Sequence, residues 1–119
     1  MTEIAAHQGG CHCGKVRFEA KADLGKVISC NCSICAKQGL WLTFVPAKDF
    51  ILLSGEESLR DYQFASKRIH HMFCGVCGVE PFGRGAAPDG SETYAVNVRC
   101  LDGIDVATLT PAPFDGKKL

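Results

Sequence analysis

Seven of the chain's eight cysteines fall into three tight groups, and any fold this sequence adopts must bring those thiols into suitable company. The groups are Cys11-His12-Cys13, Cys30-Asn31-Cys32-Ser33-Ile34-Cys35 and Cys74-Gly75-Val76-Cys77, while Cys100 stands alone. An oxidising compartment would turn such a set into disulfides. A reducing one keeps thiols free and points to metal or redox chemistry. The segment Met1 to Gln8 has no apolar region of the secretory type, and no run of about eighteen apolar residues could span a bilayer. A cytoplasmic, metal-binding protein is the expectation that follows.

The spacings say how the thiols divide. In Cys74-Gly75-Val76-Cys77-Gly78 two intervening residues let a tight turn aim both sulfurs at one tetrahedral ion, the form of a zinc knuckle. On an extended strand Cys11 and Cys13 point to the same side. Cys11, Cys13, Cys74 and Cys77 are therefore expected to form a closed four-thiolate site, which would support a small domain with a limited core. Cys30, Cys32 and Cys35 remain. Three protein ligands and a fourth open position are the arrangement of a reactive zinc. Three thiolates on Zn²⁺ leave a formal charge of about −1, so the ion is a weaker acid towards water, and its soft shell suits a fourth sulfur. A substrate thiol bound there would lose its proton near neutral pH and stay nucleophilic. Disulfides, a second structural metal completed by a histidine or Cys100, an iron site, and a redox dithiol at Cys74 and Cys77 are the competing interpretations.

At 119 residues the chain is the size of a single domain, residues 1–119. Thirteen Lys+Arg balance thirteen Asp+Glu, so no net field favours nucleic acid or an anionic membrane, and neither partner is expected. The patterning is strand-like. Val16, Phe18 and Ala20 alternate with charged residues, Trp41 to Val45 is an apolar run, and Tyr62 and Phe64 alternate with Asp61 and Gln63. Ile69, His71 and Phe73 share one face and Arg68, His70 and Met72 the other; Tyr94, Val96, Val98 and Cys100 line one side of a last strand. Helix is confined to Ser33–Gln38, with Ser33 as N-cap and Gly39 at its end, to a turn at Pro46–Asp49 with Pro46 at N1, and to a short turn after Asp105; Pro111 and Pro113 end regular structure. The expected class is all-β, built of packed antiparallel sheets with very little helix.

Other residues carry weaker signals. Cys100 reads as a core thiol, His12 as a surface or pocket-lining residue, and His70 and His71 as satisfied structural histidines with a fourth ligand or general base as the sharper alternative. Trp41 and Phe82 are core aromatics or pocket walls. Arg60, Arg68 and Arg99 are available to hold a substrate carboxylate, and none is assigned to it.

Taken together, Gly9-Gly10-Cys11-His12-Cys13-Gly14-Lys15-Val16-Arg17-Phe18, Cys30-Asn31-Cys32-Ser33-Ile34-Cys35, Phe73-Cys74-Gly75-Val76-Cys77-Gly78 and Asn97-Val98-Arg99-Cys100-Leu101-Asp102-Gly103 resemble the glutathione-dependent formaldehyde-activating enzyme family, which includes a centromere-associated relative. The resemblance implies a β-tent fold, a structural zinc on Cys11, Cys13, Cys74 and Cys77, and a catalytic zinc on Cys30, Cys32 and Cys35 with a glutathione sulfur as fourth ligand. It also implies a carbon–sulfur lyase that adds a low-molecular-weight thiol to formaldehyde. A non-catalytic zinc module, binding a partner protein or sensing metal or redox state, is the rival expectation.

Overall fold

The structure is a computed structural model that describes residues 4–63 and 69–115. Phe64 and Arg68, placed on strand faces by the sequence pattern, lie outside the described residues. The remainder is almost entirely strand and short turn. A three-stranded sheet has the order β1 (Ile4–Gly10), β2 (Arg17–Asp23), β5 (Phe50–Ser54), with every pairing antiparallel. A second sheet runs β10 (Ala112–Phe114), β3 (Ile28–Cys30), β4 (Trp41–Pro46), β9 (Glu92–Asn97), β8 (Phe82–Ala86), β7 (His70–Cys74), β6 (Leu59–Tyr62). Among the described residues the one α-helix, α1 (Ser33–Gln38), joins β3 to β4.

Alternation in the sequence becomes layering in the fold. Along β2, Phe18, Ala20 and Ala22 are buried, while Arg17, Glu19 and Lys21 are partly or fully exposed. Phe18 stacks on Phe50 of β5 with ring centroids 5.4 Å apart. From the other sheet, Phe82 lies 4.8 Å from Phe50, and Tyr94 stacks on Phe50 at 4.0 Å. These four rings, two from each sheet, join the two layers into one core with Val16, Val45, Val96 and Val98. A smaller cluster of Cys35, Leu40 and Leu42 packs with Ile28 and Ile34 around α1.

Several details depart from the sequence expectation, among them Cys11 and Cys13, which follow the end of β1 at Gly10 instead of lying on an extended strand. The last clear strand stops at Asn97, because the Asn97 side chain accepts the Arg99 N–H at 3.1 Å and turns Val98–Cys100 into a 3-10 helix; Cys100 therefore does not share a strand face with Tyr94 and Val96. Pro111 and Pro113 do not end regular structure. They flank and occupy β10, which pairs parallel to β3 at the sheet edge and uses the Ala112 N–H and the Phe114 carbonyl, so no proline N–H is needed. That parallel pair also makes the large sheet mixed. Cys32, with extended backbone, is the N-cap of α1, and Ser33 is the first helical residue. Pro46 closes β4 and precedes the turn Ala47–Asp49 rather than starting it. The other helix end follows expectation: Gly39 adopts φ 68° and donates its N–H to the Cys35 carbonyl at 2.8 Å.

Candidate metal centres

Strand ends deliver the first four thiols. β1 runs out at Gly10, so Cys11 and Cys13 sit in the turn beyond it; Cys74 closes β7 and Cys77 sits in the following turn, where the Gly78 N–H meets the Cys74 carbonyl at 2.8 Å. Cys11 Sγ is 3.6 Å from Cys13 Sγ, which is 3.7 Å from Cys74 Sγ, and all four sulfurs lie within 4.8 Å of one another. A tetrahedral ion with metal–sulfur bonds of about 2.3 Å has edges of about 3.8 Å. The cluster matches that size, so the residues present fit a four-thiolate metal.

Backbone donors prepare these sulfurs for negative charge. Cys74 Sγ accepts from the N–H groups of Val76 at 3.4 Å and Cys77 at 3.5 Å, and Cys11 Sγ accepts from Val16 N–H at 3.4 Å. The Cys77 N–H leads the groups that hold the Cys74 thiol below its usual range. Burial pushes Cys77 up, but the N–H groups of Val79 and Cys13 and the Cys74 and Cys11 thiols outweigh it and bring Cys77 down to about 6. Cys13 goes the other way. The Lys15 N–H pulls its thiol down, yet burial and the Cys11, Cys74 and Cys77 thiols together raise it to about 11. Four such close thiols do not ionise together, and a bound cation removes that conflict.

The second group is local. Cys30 is the last residue of β3, Cys32 caps α1 and Cys35 lies in its first turn. Their sulfurs also lie within 4.8 Å of one another, and among the described residues no fourth Cys, His, Asp or Glu atom joins them at that distance. Burial pushes Cys32 up, but the Cys35 N–H, the Cys35 and Cys30 thiols and the Ile34 N–H hold it below its usual value. Cys35 is itself buried, and burial, followed by the neighbouring Cys32 and Cys30 sulfurs, pushes its thiol far up. The donor set is soft and able to hold a metal ion, which zinc would suit.

The remaining candidates sort clearly. His12 is exposed. Cys100 is only partly buried, with Sγ 3.8 Å from the Glu80 carbonyl, and burial leads the causes that push its thiol up to about 12. His70 meets Asp61 Oδ2 at 2.6 Å, and His71, across the strand, meets Glu80 Oε2 at 3.0 Å. Phe82 is core, and Trp41 lies under the Arg99 guanidinium at 4.2 Å. Arg60 donates to the Glu57 and Leu59 carbonyls. Sequence reasoning passed over Glu80. Its signal was slight, a lone carboxylate in the apolar stretch Val79-Glu80-Pro81-Phe82.

A cleft of about 280 Å³ opens between Ile34 and Gln38 of α1, the helix that carries Cys35, and Phe73, Gly78, His71 and Glu80. A groove of similar size along the β8–β9 hairpin, with His70, Arg84 and Glu92 on its walls, includes neither a cysteine nor a neighbour of one. Of the two, the first shares α1 with the three-cysteine group.

Fold and donor set together define a β protein built around two unequal cysteine groups, each able to hold a metal ion. The chain belongs to the glutathione-dependent formaldehyde-activating enzyme family, whose sequence profile matches residues 6–113. It is also similar to the crystal structure of a Rhodobacter sphaeroides protein solved as a structural-genomics target, with 30% identity, a TM-score of 0.79, and coverage of 89% of this chain and 97% of that one.

Proposed function

We propose that this protein is a single-domain, cytoplasmic, zinc-dependent enzyme of the carbon–sulfur lyase type. It adds a low-molecular-weight thiol such as glutathione to a small aldehyde such as formaldehyde, and runs the reverse release at the same site. The observation that carries this reading is the trio of Cys30, Cys32 and Cys35, which meets no fourth Cys, His, Asp or Glu ligand atom among the described residues, on a helix whose Ile34 and Gln38 line an open cleft. Family membership agrees with it.

On this reading Cys11, Cys13, Cys74 and Cys77 hold a structural zinc, and Cys30, Cys32 and Cys35 hold the catalytic one. Zinc on the trio would supply the positive charge that keeps a fourth, substrate sulfur ionised near neutral pH. The chain's own residues do the rest. The Cys35 and Ile34 N–H groups favour thiolate at Cys32. Leu40 and Leu42 pack behind Cys35 and keep water from that side. The cleft that Ile34 and Gln38 of the same helix line is large enough for a small carbonyl compound. The reaction needs no oxidant: R–SH and H₂C=O combine to R–S–CH₂–OH, with a new C–S bond, the carbonyl π pair moving to oxygen, and a proton ending on that oxygen.

Native mass spectrometry with metal counting, alone and with glutathione, and exchange NMR of glutathione with ¹³C-formaldehyde test the proposal. Two zincs per chain, a glutathione adduct that Cys30→Ser abolishes, and exchange faster than the spontaneous reaction are the expected results. Exchange at the spontaneous rate with every thiol tried would leave the non-catalytic zinc module as the better account.

A further inference from the structure

A buried histidine–carboxylate pair that the metal chemistry does not use stands in the same cleft. Glu80 is 4% exposed and His71 is 6% exposed, and the Glu80 Oε2 to His71 Nδ1 distance is 3.0 Å. Burying a carboxylate is costly unless both oxygens find partners. Glu80 Oε1 is buried and has no hydrogen-bond partner among the described residues. The Glu80 backbone is nonetheless pinned, since its carbonyl accepts from Asn97 Nδ2 at 2.9 Å and Pro81 follows it. A pair kept only for stability would gain from an apolar replacement or from a fully bonded carboxylate. A rigid carboxylate that orients an imidazole at the edge of a cleft instead fits a proton-transfer device.

We propose that His71, oriented by Glu80, carries the proton to and from the carbonyl oxygen of the aldehyde held in the cleft beside Cys30, Cys32 and Cys35. His71 is the catalytic residue and Glu80 a positioning residue. The inference rests on the thiol–aldehyde reading above. As the substrate sulfur forms the C–S bond, the carbonyl π pair moves to oxygen and protonated His71 gives its proton to that oxygen. The proton that the incoming thiol releases restores His71. In reverse, neutral His71 takes the hydroxyl proton, the oxygen re-forms the carbonyl, and the C–S pair returns to sulfur. The placement supports this assignment: Ile34, between Cys32 and Cys35 in sequence, lines the same cleft as His71 and Glu80. His70 points to Asp61 on the other face of the strand and cannot substitute.

The test uses the zinc-loaded full chain with glutathione and formaldehyde as probes. His71→Gln should lower the enzymatic exchange rate about 100-fold or more, the usual scale of general acid–base catalysis. Glu80→Gln, which keeps the side chain's shape, should lower it about tenfold or more through misorientation of the ring. In both variants the half-saturating glutathione concentration and the zinc count should stay unchanged, a split that a merely structural role would not produce. Independently, the His71 ring ¹⁵N resonances of the unmodified protein should move when glutathione and formaldehyde are added together. Unmoved ring resonances, or variants that keep the full rate beside an active parent, overturn the role of His71 and leave the thiol–aldehyde reading standing. A parent with no acceleration overturns both. If His71→Gln fails to fold, the Glu80→Gln rate and the ring resonances decide.

Discussion

Replacing Cys11 with serine should cost more stability than replacing Cys30, although each change removes one sulfur from a three- or four-thiol group. The difference comes from chain topology. A metal on the first group ties Cys13 to Cys74, 61 positions apart, and so links β1 of the small sheet to β7 of the large one. A metal on the second ties residues that already lie within the segment 30–35. Treated as cross-links, the two closures restrict the unfolded chain by about 4 and about 2 kcal/mol. Their difference follows from (3/2)RT ln of a length ratio of about twelve, and is about 2 kcal/mol. An unfolding entropy of ~2.1 cal/mol/K per residue over a chain this size makes that gap about 9 °C in Tm. Calorimetry of both variants at one buffered free-zinc concentration measures it, because bound metal shifts Tm by mass action. Melts that agree within about 3 °C, or a lower Tm for Cys30→Ser, would refute the assignment of the sheet-tying role to the four-cysteine group.

Two further outcomes follow from the fold. Gly55 sits at φ +90°, where a Cβ would come 2.2 Å from the Lys15 carbonyl oxygen, so Gly55→Ala should lower the urea-unfolding free energy by about 2 kcal/mol or more; an unchanged midpoint would mean that the chain after β5 does not approach Lys15. Arg17 holds the Asp102 carboxyl below its ordinary 3.8, first through their hydrogen bond, so the pair's contribution is present above pH 3.8 and is lost as pH falls through the depressed folded value. Arg17 is partly and Asp102 largely exposed, so Arg17→Gln should cost less than about 1 kcal/mol at pH 7, and the gap should close in acid; a gap that survives at pH 2 would rule out the ion pair as its source.

Part of the cysteine grouping was legible in the sequence because it is local: a glycine-flanked turn brings Cys74 and Cys77 together, and the trio lies within six residues; Cys11 and Cys13, expected on an extended strand, instead meet in the turn beyond β1, and the approach of that turn to Cys74 is a contact across 61 positions. The inward face of β2 was legible for the same reason. What stayed hidden depended on distant partners. Nothing near Ala112 reveals that it will lie parallel to Ile28, and prolines at 111 and 113 argue against a strand until the edge position makes their missing N–H groups harmless. Val98 and Cys100 continue the alternation of β9, and only the side chain of Asn97, bonding forward to Arg99, turns the chain. Cys32 took the cap position from Ser33 because it must leave β3 extended before the helix begins. Glu80 was overlooked because a single glutamate normally marks solvent, and its partner His71 reaches it only after the cysteine turn has folded back.

These differences in reach bear on why chemistry would be assigned to the trio rather than to the quartet. A site that ties two sheets cannot exchange a ligand without loosening the core that the sheets enclose, so its fourth position must belong to the protein. The trio carries no such duty: its helix packs on a small cluster of its own, and its flank is held by Asn31, whose N–H meets the Phe114 carbonyl at 3.1 Å and whose side chain meets Asp115 Oδ1 at 3.1 Å. On the proposed reading a ligand could come and go there while the aromatic contacts between the sheets stay intact. The buried His71–Glu80 pair adds the complementary half, since β7 anchors His71 in the large sheet and ends at Cys74 of the quartet. On the proposed reading the closed centre would serve catalysis indirectly, by fixing the strand that carries His71.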